Sequence, residues 1–188
     1  MKTLVEETVV AELQTGGDEA IRLYVAACAE RMAPLFIGLR AGEAAREADV
    51  DFYVASVSDL WSVDRPLPDA ADRARQLERF PELQPAEDGI TDVADTYAFF
   101  ASLVLRYALL ANGSGNADHA VSCGHAVLTA MGMLDQNLPG AAFSTEEQRL
   151  QYLSVSGTAM GLWEASVLAG RERFRAVLSR AAGGRRRT

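Results

Sequence analysis

Apolar side chains in this chain recur every three or four positions rather than every second one. That is the spacing of helices with one face turned inward, and strand patterning is nearly absent. The clearest stripe starts near Asp18, after the Gly16-Gly17 break, and runs through Ile21, Val25, Cys28, Met32, Phe36 and Leu39. Pro34 lies inside it, where a missing N–H and a bulky ring predict a kink or an interruption. A shorter helix precedes it, with Leu4, Val5, Val9 and Leu13 inward. A third runs from about Glu47 to Val63, with Val50, Tyr53, Val57, Leu60 and Trp61 on one side, and Arg65-Pro66-Leu67-Pro68 closes it. Asp69 is placed to cap a fourth helix and Asp72 to add negative charge to its first turn. That helix runs to about Phe80, with an irregular exit through Pro81 and Pro85.

The stretch from about Asp88 to Ala111 is the most apolar. Between Asp95 and Asn112 its only charge is Arg106, and apolar residues occupy two faces: Val93, Tyr97, Phe100, Val104 and Tyr107 on one, Phe99, Leu103 and Leu110 on the other. A helix apolar nearly all round belongs inside a bundle, so residues 91–111 are predicted as the central element. Asn112-Gly113-Ser114-Gly115-Asn116 reads as a tight connection with a glycine for positive φ and a polar cap for the next helix. The sixth helix, Ala117 to about Gln136, buries Val121, Gly124, Leu128 and Met131, and Gly124 and Gly132 would admit a neighbouring backbone closely. After Leu138-Pro139-Gly140, Ser144 and Glu147 have the spacing of a capping box. One last helical stretch carries Leu150, Leu153, Met160, Val167, Phe174 and Leu178, bending near Gly157 or Gly170. The expected architecture is all-α: a single-domain, mostly antiparallel bundle of about seven helices over residues 1–182, with 183–188 a disordered basic tail. Neither an internal repeat nor an interdomain linker is visible.

With 188 residues, 49% of them apolar and 23% charged, the chain can build a core without disulfide or metal staples, and disorder and collagen-like structure are excluded. No apolar run approaches the roughly 20 residues of a membrane helix, and the first residues lack the basic and apolar regions of a secretory signal. A cytoplasmic location without a membrane partner is therefore expected. Net charge is −8, and Lys2 is the only lysine among the 18 bases. Setting aside Arg185, Arg186 and Arg187 leaves −11 on residues 1–184, a body that repels phosphate backbones and argues against nucleic acid. Such a charge serves solubility, or steers a basic protein partner. Cys28 and Cys123 sit in apolar helical patterns and read as reduced, buried thiols.

Candidate chemistry is sparse. His119 and Cys123 share a helix face and could hold one ion, but His125 points about 200° away and no further Cys/His pair completes a zinc site. Asp88, Asp92 and Asp95 align three carboxylates, a magnesium-binding pattern only if a second helix opposes them; acids opening a helix are favourable through its dipole alone, so a solvated first turn is the preferred reading. Nucleophile elbows, phosphate loops and dinucleotide fingerprints are missing, and Cys28 on its apolar stripe reads as an inert thiol. Glu164 continues the row Leu153, Gly157, Met160 and Val167, so it is expected to be partly buried and paired with Arg31 or Arg106, a structural ion pair rather than a catalytic acid.

The stretch Cys28-Ala29-Glu30-Arg31-Met32-Ala33-Pro34-Leu35-Phe36 resembles the Cys-Glu-Arg-Met-x-Pro-Asn-Tyr segment of the YjaG-like family of small helical bacterial proteins. Trp61, Leu77-Glu78 with Pro81, and Asp88 follow in matching order, so the likeness covers roughly residues 18–135. Ala29 is an insertion relative to the family segment, and Leu35-Phe36 stand where it has Asn-Tyr. The resemblance implies an all-α domain and brings no catalytic residues; Glu30 and Arg31 beside Pro34 are the first place to seek a pocket.

The function expected from these features is that of a non-catalytic cytoplasmic binding or regulatory protein, whose acidic surface docks a basic protein partner. An immunity or antitoxin-like role is one concrete form. The alternative is a small-molecule-binding or enzymatic bundle, with ligand contacts drawn from Glu30, Arg31, Tyr97, Arg106, Tyr107, Trp163 and Glu164. A homodimer through one face of the central or last helix is a third reading. No catalytic residue, metal or cofactor is assigned.

Overall fold

The computed structural model describes residues 4–85, 92–136, 138, 140 and 142–184. Among them are eight α-helices and no strand: α1 (Glu7–Thr15), α2 (Gly17–Arg40), α3 (Glu47–Leu60), α4 (Ala70–Leu77), α5 (Val93–Ser114), α6 (Ala117–Asp135), α7 (Phe143–Ser156) and α8 (Ala159–Gly184), with short 3-10 turns at Ala44–Arg46 and Pro81–Leu83. The count exceeds the expected seven because the last stretch is two helices. Gly157 adopts an extended backbone (ψ −177°) after its N–H closes on the Leu153 carbonyl at 2.7 Å, so the chain stops there instead of bending. Gly170 does not break α8. A side chain there would meet the Pro34 ring at 3.0 Å, so this glycine lets α8 lie directly on α2. α8 runs through Gly184, two residues past the expected domain end, and the rest of the basic tail, like Asp88, lies outside the described residues.

α2 packs against α1, α3, α5, α6, α7 and α8. Tyr24, Val25, Ala26, Ala27, Cys28, Ala29, Met32, Leu35 and Phe36 have no exposed surface, although they point to every side of the helix. The alanines explain this, because they interrupt the apolar stripe with side chains small enough for a neighbour to cover. Pro34 stays inside a continuous helical span. In α5, one row at helical spacing (Ala98, Ala101, Leu105, Ala108) is fully enclosed, whereas Phe99, Phe100, Leu103, Tyr107 and Leu110 are only half-buried. By length and composition α5 would suffice to cross a membrane, against the sequence expectation, a property it shares with core helices of globular proteins.

Polar side chains fix the helix ends. Asp92 accepts from the Ala94 and Asp95 amides at the start of α5, and Asn116 from the Asp118 amide at the start of α6, after Gly115 turns at φ 65°. The α7 terminus differs from its expected capping box. The Asp135 carboxylate reaches across to accept from the Phe143 and Ser144 amides at 2.7 and 2.9 Å and from the Ser144 hydroxyl at 2.6 Å, which frees Glu147 to turn inward. Asp69 stands at the head of α4, but its carboxylate pairs with Arg73 at 2.8 Å. Glu82, its side chain 2% exposed, ties the second 3-10 turn to the body: Arg46 grips it bidentately at 2.8 and 2.7 Å and Arg40 binds it at 2.8 Å.

The two predicted contact glycines of α6 separate cleanly. A Cβ on Gly124 would fall 2.0 Å from the Tyr24 hydroxyl and 3.0 Å from the Gln151 amide oxygen, whereas one on Gly132 meets only Ser144 Oγ at 3.8 Å. Gly124→Ala is expected to lower stability by about 1–3 kcal/mol through overpacking, and Gly132→Ala to raise it by about 0.5–1 kcal/mol through helix propensity. Urea unfolding of the two variants measures both. Equal midpoints would mean that the Tyr24–Gly124 contact is not tight.

Candidate binding cleft

Neighbouring positions on α2 point in different directions, and this separates Glu30 from Arg31. Arg31 is fully buried. Its guanidinium binds the Glu147 carboxylate bidentately (Nε to Oε2 2.9 Å, Nη2 to Oε1 2.8 Å) and reaches Ser166 Oγ and Cys28 Sγ, each at 3.3 Å. Arg173, 1% exposed, approaches the same carboxylate from α8 at 2.5 Å. Gln151 donates to Glu147 Oε1 at 2.9 Å and to the Gly124 carbonyl at 3.0 Å, and accepts from the Tyr24 hydroxyl at 2.9 Å. Arginines from α2 and α8 thus converge on one carboxylate from α7. Burial alone would raise the Glu147 pKa, but the charges of Arg31 and Arg173 outweigh it and hold the group at about 2. Burial pulls Arg31 downward, yet the Glu147 charge carries its pKa above the ordinary value; for Arg173 burial prevails and the pKa falls.

Arg31 therefore has an acid, but not Glu164, which is exposed. Arg106 does not pair with Glu164 either: it binds Glu78 at 2.6 Å, with its guanidinium 5.9 Å from the Tyr107 ring centre. Tyr97 is buried, and burial raises its pKa. Tyr107 lines an open groove of about 370 Å³ between α5 and α6, with Phe100, Leu103 and His125. Cys123 is enclosed and donates to the Val104 carbonyl at 3.6 Å; burial and the nearby Cys28 push its thiol pKa well up, while His119 on the same helix is half-buried. Asp95 pairs with Arg40 at 2.6 Å, and no group of three metal-binding side chains occurs among the described residues.

Of the seven residues proposed as ligand contacts, Glu30 and Trp163 share one cleft. They line a solvent-open cleft of about 600 Å³ between α2, α3 and the start of α8. Trp61 closes the C-terminal end of α3, where its amide bonds the Ser58 carbonyl, and its indole N–H donates to Glu30 Oε2 at 2.9 Å. Ala33, Ile37 and Val57 form apolar wall, and Val54 and Met160 stand at the rim. Burial raises the Glu30 pKa against the opposing effect of the Trp61 hydrogen bond. No basic side chain among the described residues pairs with Glu30. The sequence carried a signal for this cleft in Glu30, Trp61 and Trp163, but nothing in it says that the start of α8 faces α3 across it. The inward roles of Glu147 and Arg173 carry no signal in the sequence, because a capping-box position and a run of arginines each have a simpler surface reading.

No protein-family model matches the chain, no curated protein is similar to it, and no solved structure matches its fold.

Proposed function

We propose that this chain is a non-catalytic binding protein whose α2–α3–α8 cleft docks a basic segment of a protein partner. The observation that carries this reading is a cluster of large apolar side chains left in water around a carboxylate with no basic partner among the described residues. Met160 is 75% exposed and Val54 and Trp163 are each 46% exposed, all at the cleft that holds Glu30. Exposed apolar surface of this kind is costly unless a partner covers it, and the net charge of −8 would steer a basic partner towards it. An immunity or antitoxin-like role is one form of this reading; the resemblance to YjaG-like proteins adds no catalytic residue to weigh against it. A second reading, a small-molecule site in the same cleft, is favoured by its volume of about 600 Å³, which suits a ligand of modest size.

Met160→Glu tests the docking surface with little risk to the core, because that side chain is mostly in water. Leu178→Glu is the control, on the same helix but about 27 Å along it and 45% exposed. A pull-down at about 50 mM and at about 150 mM salt should retain a basic partner on the native protein, less at the higher salt. Leu178→Glu should retain it too, and Met160→Glu should not. Equal retention on both variants, or none on the native protein at either salt, would remove the docking reading.

A further inference from the structure

Resting on that docking reading, we propose that Glu30, Trp61 and Trp163 form a receptor for one organic cation, the guanidinium or ammonium end of a partner's arginine or lysine side chain.

Three observations point to a cation on an apolar stem. Among the described residues Glu30 is the only ionisable one in the cleft lining, and none of their basic groups pairs with it, so the lining carries a net negative charge. The two buried carboxylates among the described residues are compensated by arginines: Glu147 holds two, and so does Glu82. Glu30 receives a neutral indole N–H instead, which positions the carboxylate and leaves its charge in place. Both tryptophans of the chain line the cleft, one of them well exposed, and indole faces attract cations. The alkyl stem of an arginine or lysine matches the aliphatic wall of Ala33, Ile37 and Val57. An anionic ligand would face the Glu30 charge with no basic group to offset it, and a neutral apolar ligand would leave that charge buried and unmatched.

The probe is 2-phenylethylguanidinium, with 2-phenylethylurea as its neutral counterpart of similar shape. Because Trp61 and Trp163 are the only tryptophans, their indole N–H resonances in a titration of the whole chain report on the cleft alone. The guanidinium compound is expected to shift both resonances saturably with a Kd in the millimolar range, typical of a fragment of this size. The urea should bind at least about tenfold more weakly. Glu30→Gln keeps an oxygen for the Trp61 N–H and removes the charge, and it should weaken the guanidinium compound by about tenfold or more while leaving the urea unchanged. Equal binding of the two compounds, full affinity in Glu30→Gln, or no saturable shift would each overturn the cation site. Failure of the docking reading looks different: saturable, Glu30-dependent binding of the probe would stand even where no partner is retained, and a partner retained equally by native protein and Glu30→Gln would sink the cation site alone.

Discussion

Glu147→Ala is expected to lower the free energy of unfolding by about 3–5 kcal/mol, the cost of removing one partner from a fully enclosed ion pair. Arg31 and Arg173 are 0% and 1% exposed, so without the carboxylate two guanidinium groups would face each other out of reach of water. Gln151 would lose an acceptor in the same step. Against a total stability of typically 5–15 kcal/mol, such a loss brings the variant near the edge of folding. The triad as a unit is not expected to be worth nearly so much, because its desolvation cost offsets most of the attraction. Replacing all three charges by apolar residues (Arg31→Met, Glu147→Leu and Arg173→Met together) should therefore stay within about 2 kcal/mol of the native protein. Urea midpoints measure both proteins. A Glu147→Ala midpoint indistinguishable from the native one would show that the two arginines find water or other partners, contrary to their enclosure here.

Acid should destabilise this protein through the same carboxylate. The folded-state pKa of Glu147 is about 2, below its ordinary 4.5. A depressed pKa stabilises the folded state fully above the unfolded value and loses that contribution as pH falls through the folded one. The window therefore runs from about pH 4.5 down to about pH 2, and the contribution lost across it is about 3 kcal/mol. Glu82, held below its ordinary value against the effect of burial by Arg46 and Arg40, and Asp135, held below its own against burial by its bonds to Ser144 and Phe143, add to the slope in the same direction. Urea midpoints taken between pH 7 and pH 3 should fall steadily below pH 4.5 in the native protein, and less steeply in the variant lacking all three triad charges. Identical slopes would assign the acid sensitivity to other groups.

Both predictions concern a centre that was hard to read along the chain. Periodicity pairs Arg31 or Arg106 with Glu164, which continues the apolar row Leu153, Gly157, Met160 and Val167. That row crosses Gly157, where the backbone turns extended and ends the helix, so periodicity counted through it assigns Glu164 to the wrong face. Glu147 looked like half of a capping box because Ser144 precedes it by three residues. The cap came instead from Asp135, eight positions before Phe143, which local spacing does not reveal. Gly124 and Gly132 were read alike, and only the first lies against a neighbour, since Tyr24 approaches α6 at one of the two levels.

Local rules were enough for the helical character of the chain, the approximate places of α1 to α6, and a left-handed glycine followed by a Ser or Asn cap within residues 112–116, because each depends on interactions within a few residues of sequence. Pairings across the fold were decided by the tertiary structure. Which carboxylate meets Arg31, how far α2 rather than α5 is enclosed, and the gathering of Glu30, Trp61 and Trp163 around one cleft all depend on how helices distant in sequence cross. Crossing follows from the fit of whole faces, including alanines and glycines whose small size carries little signal in a pattern of apolar and polar positions.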